Sequence, residues 1–303
     1  MTDAGETRVV GIGELLWDLL PDGPRLGGAP FNATANLARL GHDVQFVTVV
    51  GDDDLGHEAV LRARGLGVGT TWIAETAAVP TGTVEVALDA SGGPRFRIVS
   101  PAAYETIDLS PQRLAAIAAW RPRAVVFGTL AQRFPGVLGS TLAIIDRSAA
   151  PVRLYDINLR EGCWSDELVL DLLSLATIVK VNGDEAAVLG RLFGTSDDPG
   201  VLGPELGRRF GSRGLCVTRG GDGAALWLDG SLHDVEGIAI EVVDAVGAGD
   251  AFAAALLDGL LRERDPGDVL ARANRLGAVV ASRSGALPDW SIEELDAAPS
   301  RHG

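Results

Sequence analysis

The sequence predicts a doubly wound α/β protein: a three-layer αβα sandwich with a mostly parallel central sheet and a small β-lid. Three observations lead there. Short β-branched runs recur along the chain, longer Ala/Leu-rich stretches of helical character separate them, and one segment replaces that alternation with a hairpin pattern. With 303 residues, 47% of them hydrophobic, the chain can bury a large core.

The strand-like runs are RVVGIGELL (8–16), VQFVTVVG (44–51), RAVVFG (123–128), VRLYDIN (152–158), ATIVKVN (176–182) and GLCVTRG (214–220). Near-continuous apolar runs of this length are what strands covered on both faces require. Between them, PFNATANLARLG (30–41), SPQRLAAIAAW (110–120), PGVLGSTLAIIDRSA (135–149) and DAFAAALLDGLLRE (250–263) read as amphipathic or buried helices. The exception is VPTGTVEVALDASGGPRFRIV (79–99), two alternating strands joined by a Ser-Gly-Gly turn, which reads as a flap. No Pro/Ser-rich linker, charge block or repeat divides the chain, so residues 1–303 are expected to form one domain, with a lid built from about 19–26 and 79–99.

A formal net charge of −15 and a pI near 4.6 argue against nucleic acid or an anionic membrane as partner and favour a small molecule. Cys163 and Cys216 form neither a disulfide framework nor a CxxC pair, and a reducing cytoplasm is the simplest setting. The N-terminus lacks a basic n-region and no run approaches about 18 apolar residues, so neither secretion nor a membrane span is expected. His42, His57, His233 and His302 lack metal-ligand spacing. Lys180 is the only lysine.

The sharpest local signal is VVDAVGAGDAFAAALLDGLL (242–261). Gly247, Ala248 and Gly249 precede a helix, so their amides and those of the first turn can converge on an anion. Asp250 stands at the same helix start. Such an Asp ordinarily caps its helix, but a cap needs no open backbone on its N-terminal side. A carboxylate beside an anion cradle can take a proton from an attacking hydroxyl while the cradle holds charge on a transferred phosphoryl group. The chain has no GxxxxGK[ST], and Gly11-Ile12-Gly13 is not completed as a dinucleotide fingerprint. Two further elements point to a ligand: Gly27-Gly28 ahead of Asn32, and Asp18 at the end of the first apolar run, beside Trp17.

The order of these strings resembles the ribokinase-like (PfkB) carbohydrate kinase family over nearly the whole chain. Gly27-Gly28 through Asn32 resembles its N-terminal signature and Asp244 through Asp250 its C-terminal one; between them lie Asp156-Ile157-Asn158-Leu159-Arg160 with Trp164, Asn182-Gly183-Asp184-Glu185, and Thr218-Arg219-Gly220 to Gly223. The resemblance implies ATP-dependent phosphorylation of a sugar hydroxyl in the cytoplasm, with Asp250 as base and the Gly247, Ala248 and Gly249 amides as anion hole. Asp18, Gly28, Asn32, Arg97 and Arg160 would bind the sugar. Lys180, Asn182, Thr218, Gly220, Gly223 and Asn274 would line the nucleotide site. Glu185 would organise Mg²⁺ through water, and Asp244 would lie near a monovalent cation such as K⁺, although Ala245 stands where many members have Thr. Asn182 and Glu185 equally read as helix-capping residues. DINLR with Trp164, FGTLAQR (127–133) and FRIVSPAAYE (96–105) are most similar to fructokinase-like members. A 2-keto-3-deoxygluconate kinase, a ribose or nucleoside kinase, and a catalytically silent sugar binder are the alternatives. Lids of this family pair into dimers, so a homodimer through the lid is expected.

Overall fold

The computed structural model describes residues 7–21, 23–88 and 94–296. In chain order, β1 (Arg8–Ile12), β2 (Leu16–Leu20) and β3 (Gly23–Gly27) lead to α1 (Ala29–Arg39), β4 (Asp43–Gly51), α2 (Asp54–Gly65) and β5 (Ile73–Thr76). Then come β6 (Gly82–Leu88), β7 (Pro94–Ile98), α3 (Pro111–Trp120), β8 (Ala124–Phe127), α4 (Pro135–Ser148), β9 (Val152–Asp156), α5 (Asp166–Leu175), β10 (Ile178–Asn182) and α6 (Gly183–Phe193). The chain finishes with α7 (Pro199–Phe210), β11 (Gly214–Thr218), β12 (Ala224–Leu228), β13 (Ser231–Val235), α8 (Ala248–Leu261), α9 (Pro266–Ala281) and α10 (Ile292–Asp296).

Nine strands form one sheet in the order β13-β12-β11-β10-β9-β8-β1-β4-β5. Only the β11–β12 and β12–β13 pairs are antiparallel. Successive side chains of a strand point to opposite faces, so a two-sided core must sort alternate residues into two clusters. It does: Val9, Leu154, Ile178 and Cys216 pack with Leu37, Ala59, Leu256 and Leu270 of α1, α2, α8 and α9. Val10, Tyr155, Val179 and Leu215 pack with Ile117, Ile144, Leu172, Leu189 and Leu206 of α3 to α7. Each fully buried aliphatic side chain contributes roughly 1.5 to 3 kcal/mol. This is the expected three-layer sandwich.

The second sheet has the order β3-β2-β6-β7. Here the structure corrects two readings. The 8–16 run is not one strand: the chain leaves the large sheet after Ile12, and Asp18 lies inside β2 opposite Arg25, not at the end of β1. The lid also starts earlier than residue 19, because β2 begins at Leu16 and pairs in parallel with β6 (Trp17↔Thr83). The hairpin pairing of β6 with β7 is present (Val84↔Ile98), while its Ser-Gly-Gly turn lies outside the described residues. Trp17 does not face a ligand: it is 1% exposed, its Nε1 donates to the Leu55 carbonyl at 2.9 Å, and Arg62 stacks on its ring.

Helix α8 is buried from Asp250 to Gly259, so its polar residues need partners inside the protein. Asp258 accepts from His42 Nε2 (3.0 Å) and Arg262 Nε (2.5 Å), with Arg272 Nε at 3.7 Å. Those two hydrogen bonds hold its carboxyl below the usual range despite burial. Asp258→Ala strips the shared acceptor from His42, Arg262 and Arg272 and is expected to cost roughly 3 to 5 kcal/mol, read as a lower urea midpoint at unchanged slope.

Candidate active site

The candidate site residues gather where the carboxyl ends of β1, β9 and β10 meet the N-termini of α1 and α8, bordered by the small sheet. Gly247 N-caps helix α8, which begins at Ala248; its φ of 79° is left-handed and its Cβ, if present, would sit 2.3 Å from the Ala286 carbonyl. Asp250 is therefore the third residue of the helix and makes no capping bond, so the ordinary reading of an Asp at a helix start does not apply. Among the described residues the Gly249 and Asp250 amides meet no backbone acceptor, whereas the Ala248 amide bonds the Ala245 carbonyl at 3.3 Å. The open amides of the first turn are thus those around Ala248, not Ala248 itself.

Asp250 is 9% exposed, and its Oδ2 accepts from Asn32 Nδ2 at 2.8 Å. Burial pushes its carboxyl up to about 6, with the Asp156 charge adding; the Asn32 bond, Lys180 and Arg160 act the other way. That places an acceptor of protons near the working range of a general base. Asn32, expected to serve the sugar, donates one amide hydrogen to Asp250, and its buried Oδ1 is left without a protein partner.

Lys180 and Asp156 face each other across β9 and β10. The Nζ donates to both Asp156 oxygens at 3.0 Å and lies 3.3 Å from where a Cβ on Gly249 would be. Burial opposes its charge, but the Asp156 carboxylate more than offsets this and holds the ammonium above the ordinary lysine range. The chain's one lysine thus delivers a positive charge to the start of α8.

Asn182 and Glu185 form a capping box on α6: Asn182 Oδ1 accepts from the Glu185 amide (2.9 Å), and Glu185 Oε2 from the Asn182 amide (2.8 Å). The Leu159 amide donates to Glu185 Oε1 at 2.9 Å. Burial, then the Asp156 charge, raises the Glu185 carboxyl. Each oxygen retains lone pairs, and two neighbouring carboxylates suit a hard divalent cation held through water. Asp244 is more fully engaged: Oδ1 accepts from the Val246 amide, and Oδ2 from the Gly285 amide and Arg25.

Of the other predicted residues, Gly28 N-caps α1 with φ 119°, and a Cβ there would lie 2.3 Å from the Glu14 carbonyl. Asp18 faces Arg25 in the small sheet, and burial raises its carboxyl against Arg160 and Arg25. Arg160 is exposed, and its guanidinium makes no hydrogen bond or ion pair among the described residues; Asp166, six positions on, pairs with Arg191. Arg97 is bound to Glu85 across the small sheet, its NH2 2.5 Å from Oε2. Thr218 ends β11 and donates to the Val181 carbonyl; Gly220 to Gly223 turn the chain into β12; Asn274 Nδ2 donates to the Glu236 carbonyl.

Sequence reading passed over two groups. Glu14, inside an apolar run, is 3% exposed beside Gly28, and Tyr104 is fully buried with its hydroxyl unpartnered. Only the charge of Glu14 in that run hinted at it. Away from the cleft, exposed Asp52, His57 and Glu75 bring one ligand atom each within 4.8 Å of one another, a grouping no histidine spacing revealed; Asp52 and His57 already pair at 3.2 Å.

Residues 24–292 match the model of the pfkB family of carbohydrate kinases. The chain is similar to the fructokinase of Escherichia coli, 31% identical over 91% of this chain and 94% of that one. It is similarly related to the fructokinase of Klebsiella pneumoniae, at 33% over 91% and 94%. A solved Vibrio cholerae fructokinase with fructose, ADP and a potassium ion superimposes with a TM-score of 0.77 at 27% identity, covering 93% of this chain and 94% of that one. A Salmonella enterica aminoimidazole riboside kinase does so at 0.74 and 27%, covering 93% and 95%.

Proposed function

The chain belongs to the pfkB family of carbohydrate kinases, and from that premise we propose that it phosphorylates fructose with ATP, using Asp250 as the base. One observation carries the reading: a buried carboxylate, tuned upward and oriented by Asn32, stands in the same helical turn as amides with no acceptor of their own. The fructokinases among its relatives favour fructose. A second reading, a 2-keto-3-deoxygluconate kinase, is favoured by Arg160, whose unpaired guanidinium could bind an acid's carboxylate.

In this mechanism the sugar lies between the cleft floor and the small sheet, near Asp18 and Arg160, and a primary hydroxyl points at Asp250. Asp250 takes the hydroxyl proton as the oxygen attacks the γ-phosphate in line. The open amides at the start of α8, with the Lys180 ammonium beside Gly249, stabilise charge on the phosphoryl oxygens. Closure of the small sheet excludes water, which would otherwise compete as acceptor. Glu185, with Asp156, would hold Mg²⁺ through water, and the ion would neutralise ATP phosphate charge when bound. A monovalent cation beside Asp244 would share its carboxylate with Arg25. The chain works in this reading as a single domain in the cytoplasm, and copies pair through the small sheet.

The test is ADP release with Mg-ATP across fructose, 2-keto-3-deoxygluconate, ribose, glucose and adenosine. Turnover is expected with fructose as the best acceptor. Faster turnover of the sugar acid would move the assignment to the second reading, and none on any acceptor would leave a silent sugar binder.

A further inference from the structure

We propose that Glu14 is a substrate-binding residue: its carboxylate holds a hydroxyl of the sugar from the floor of the cleft. This rests on the sugar-kinase reading above. The chain leaves β1 at Ile12, and Glu14 follows at the carboxyl end of that strand, the edge at which open α/β sheets bind ligands. Gly28 lies flat against it, close enough that a Cβ would sit 3.3 Å from Glu14 Cγ.

The Glu14 and Ala29 amides favour the charged form of this carboxylate at the start of α1, whose N-cap Gly28 has no side chain to offer. Oε2 is buried and has no protein partner. A buried carboxylate oxygen left unbonded is costly, and a native site tolerates it where something else supplies the donor.

The surroundings indicate what that donor is. Asn32 Oδ1 and Tyr104 OH are likewise buried and unpartnered, and Glu14 acts electrostatically on Tyr104. Arg160, unpaired, acts on Glu14, Asp18 and Asp250 alike, so three carboxylates share one guanidinium. Two unsatisfied acceptors and a phenol that can donate or accept match a polyhydroxylated, uncharged ligand: each hydroxyl gives one hydrogen and takes another. Burial, helped by Asp250, pushes Glu14 up to about 7 against its own amide, Arg160 and the Ala29 amide.

The experiment compares unmutated protein with Glu14→Ala and Glu14→Gln, using fructose and its mono-deoxy analogues, with melting curves and ADP affinity measured alongside. In the unmutated protein one analogue should show a selectively raised KM. In Glu14→Ala the KM for fructose should rise by about 10- to 100-fold, the penalty for that one analogue should shrink towards none, and ADP affinity should stay unchanged. Glu14→Gln keeps an acceptor at the start of α1, removes the buried charge and should melt no lower than the unmutated protein, with an intermediate rise in KM; it carries the test alone if the alanine variant does not fold. If both variants change KM equally for every analogue, or change only the melting temperature, Glu14 is a helix cap and the proposal falls. Failure of the sugar-kinase reading shows separately, as no turnover by the unmutated protein, and removes the proposal with it.

Discussion

Asp250→Asn is expected to lower kcat by about 10² to 10⁴-fold or more while nucleotide affinity survives, because the substitution removes the proton acceptor and leaves the backbone cradle in place. The same variant should melt at a higher temperature. With a carboxyl at about 6 in the fold against an ordinary 3.8, the native state binds more protons than the unfolded chain between those values. Stability therefore falls as pH rises through that window, and at neutral pH the charged group costs on the order of 3 kcal/mol that Asn does not. In the unmutated protein kcat/KM should climb with pH through about 6 as Asp250 loses its proton. Stopped ADP release at pH 5 to 8 and calorimetric melts check both halves. Full activity in the variant would end the assignment of Asp250 as base.

Lys180→Met is expected to be nearly as damaging, by a different route. Asp156 would remain 6% exposed beside Glu185 and Asp250 with its only hydrogen-bonded cation gone. Breaking such a pair costs roughly 3 to 5 kcal/mol. The double variant Lys180→Met with Asp156→Leu should recover most of that loss in urea melts, since no charge is stranded. Activity should not return with it, because the ammonium beside Gly249 and the Asp156 carboxylate proposed to help hold Mg²⁺ are both missing. In the single variant the pH limb assigned to Asp250 should also move upward, as a positive neighbour that lowers its carboxyl is removed.

The layers were legible because both-face burial leaves unbroken apolar runs, as in β8 and β10, and α8 announces itself by its Ala/Leu content. β5, β12 and β13 were not picked out. β13 is mostly exposed, and an edge strand of that kind has little apolar pattern to read. The 8–16 run misled for a related reason: Leu15, Leu16 and Trp17 are as buried as β1, but against the small sheet and α2. Within the cleft, Asp250 could be read from its glycines. Its bond to Asn32 spans 218 positions, and only the crossing of α1 on α8 creates it. Lys180 and Asp156 could be paired only once β9 and β10 were known to be neighbours in register.

The solitary lysine has a consequence for how this protein meets reactive chemistry. Its amine is 5% exposed and held by a carboxylate, and the chain has no other lysine side chain. Acylating reagents and amine-directed cross-linkers therefore find no lysine side chain open to them on the folded molecule. An acylated lysine would appear only when the layers around β10 come apart, which makes such labelling a direct record of unfolding.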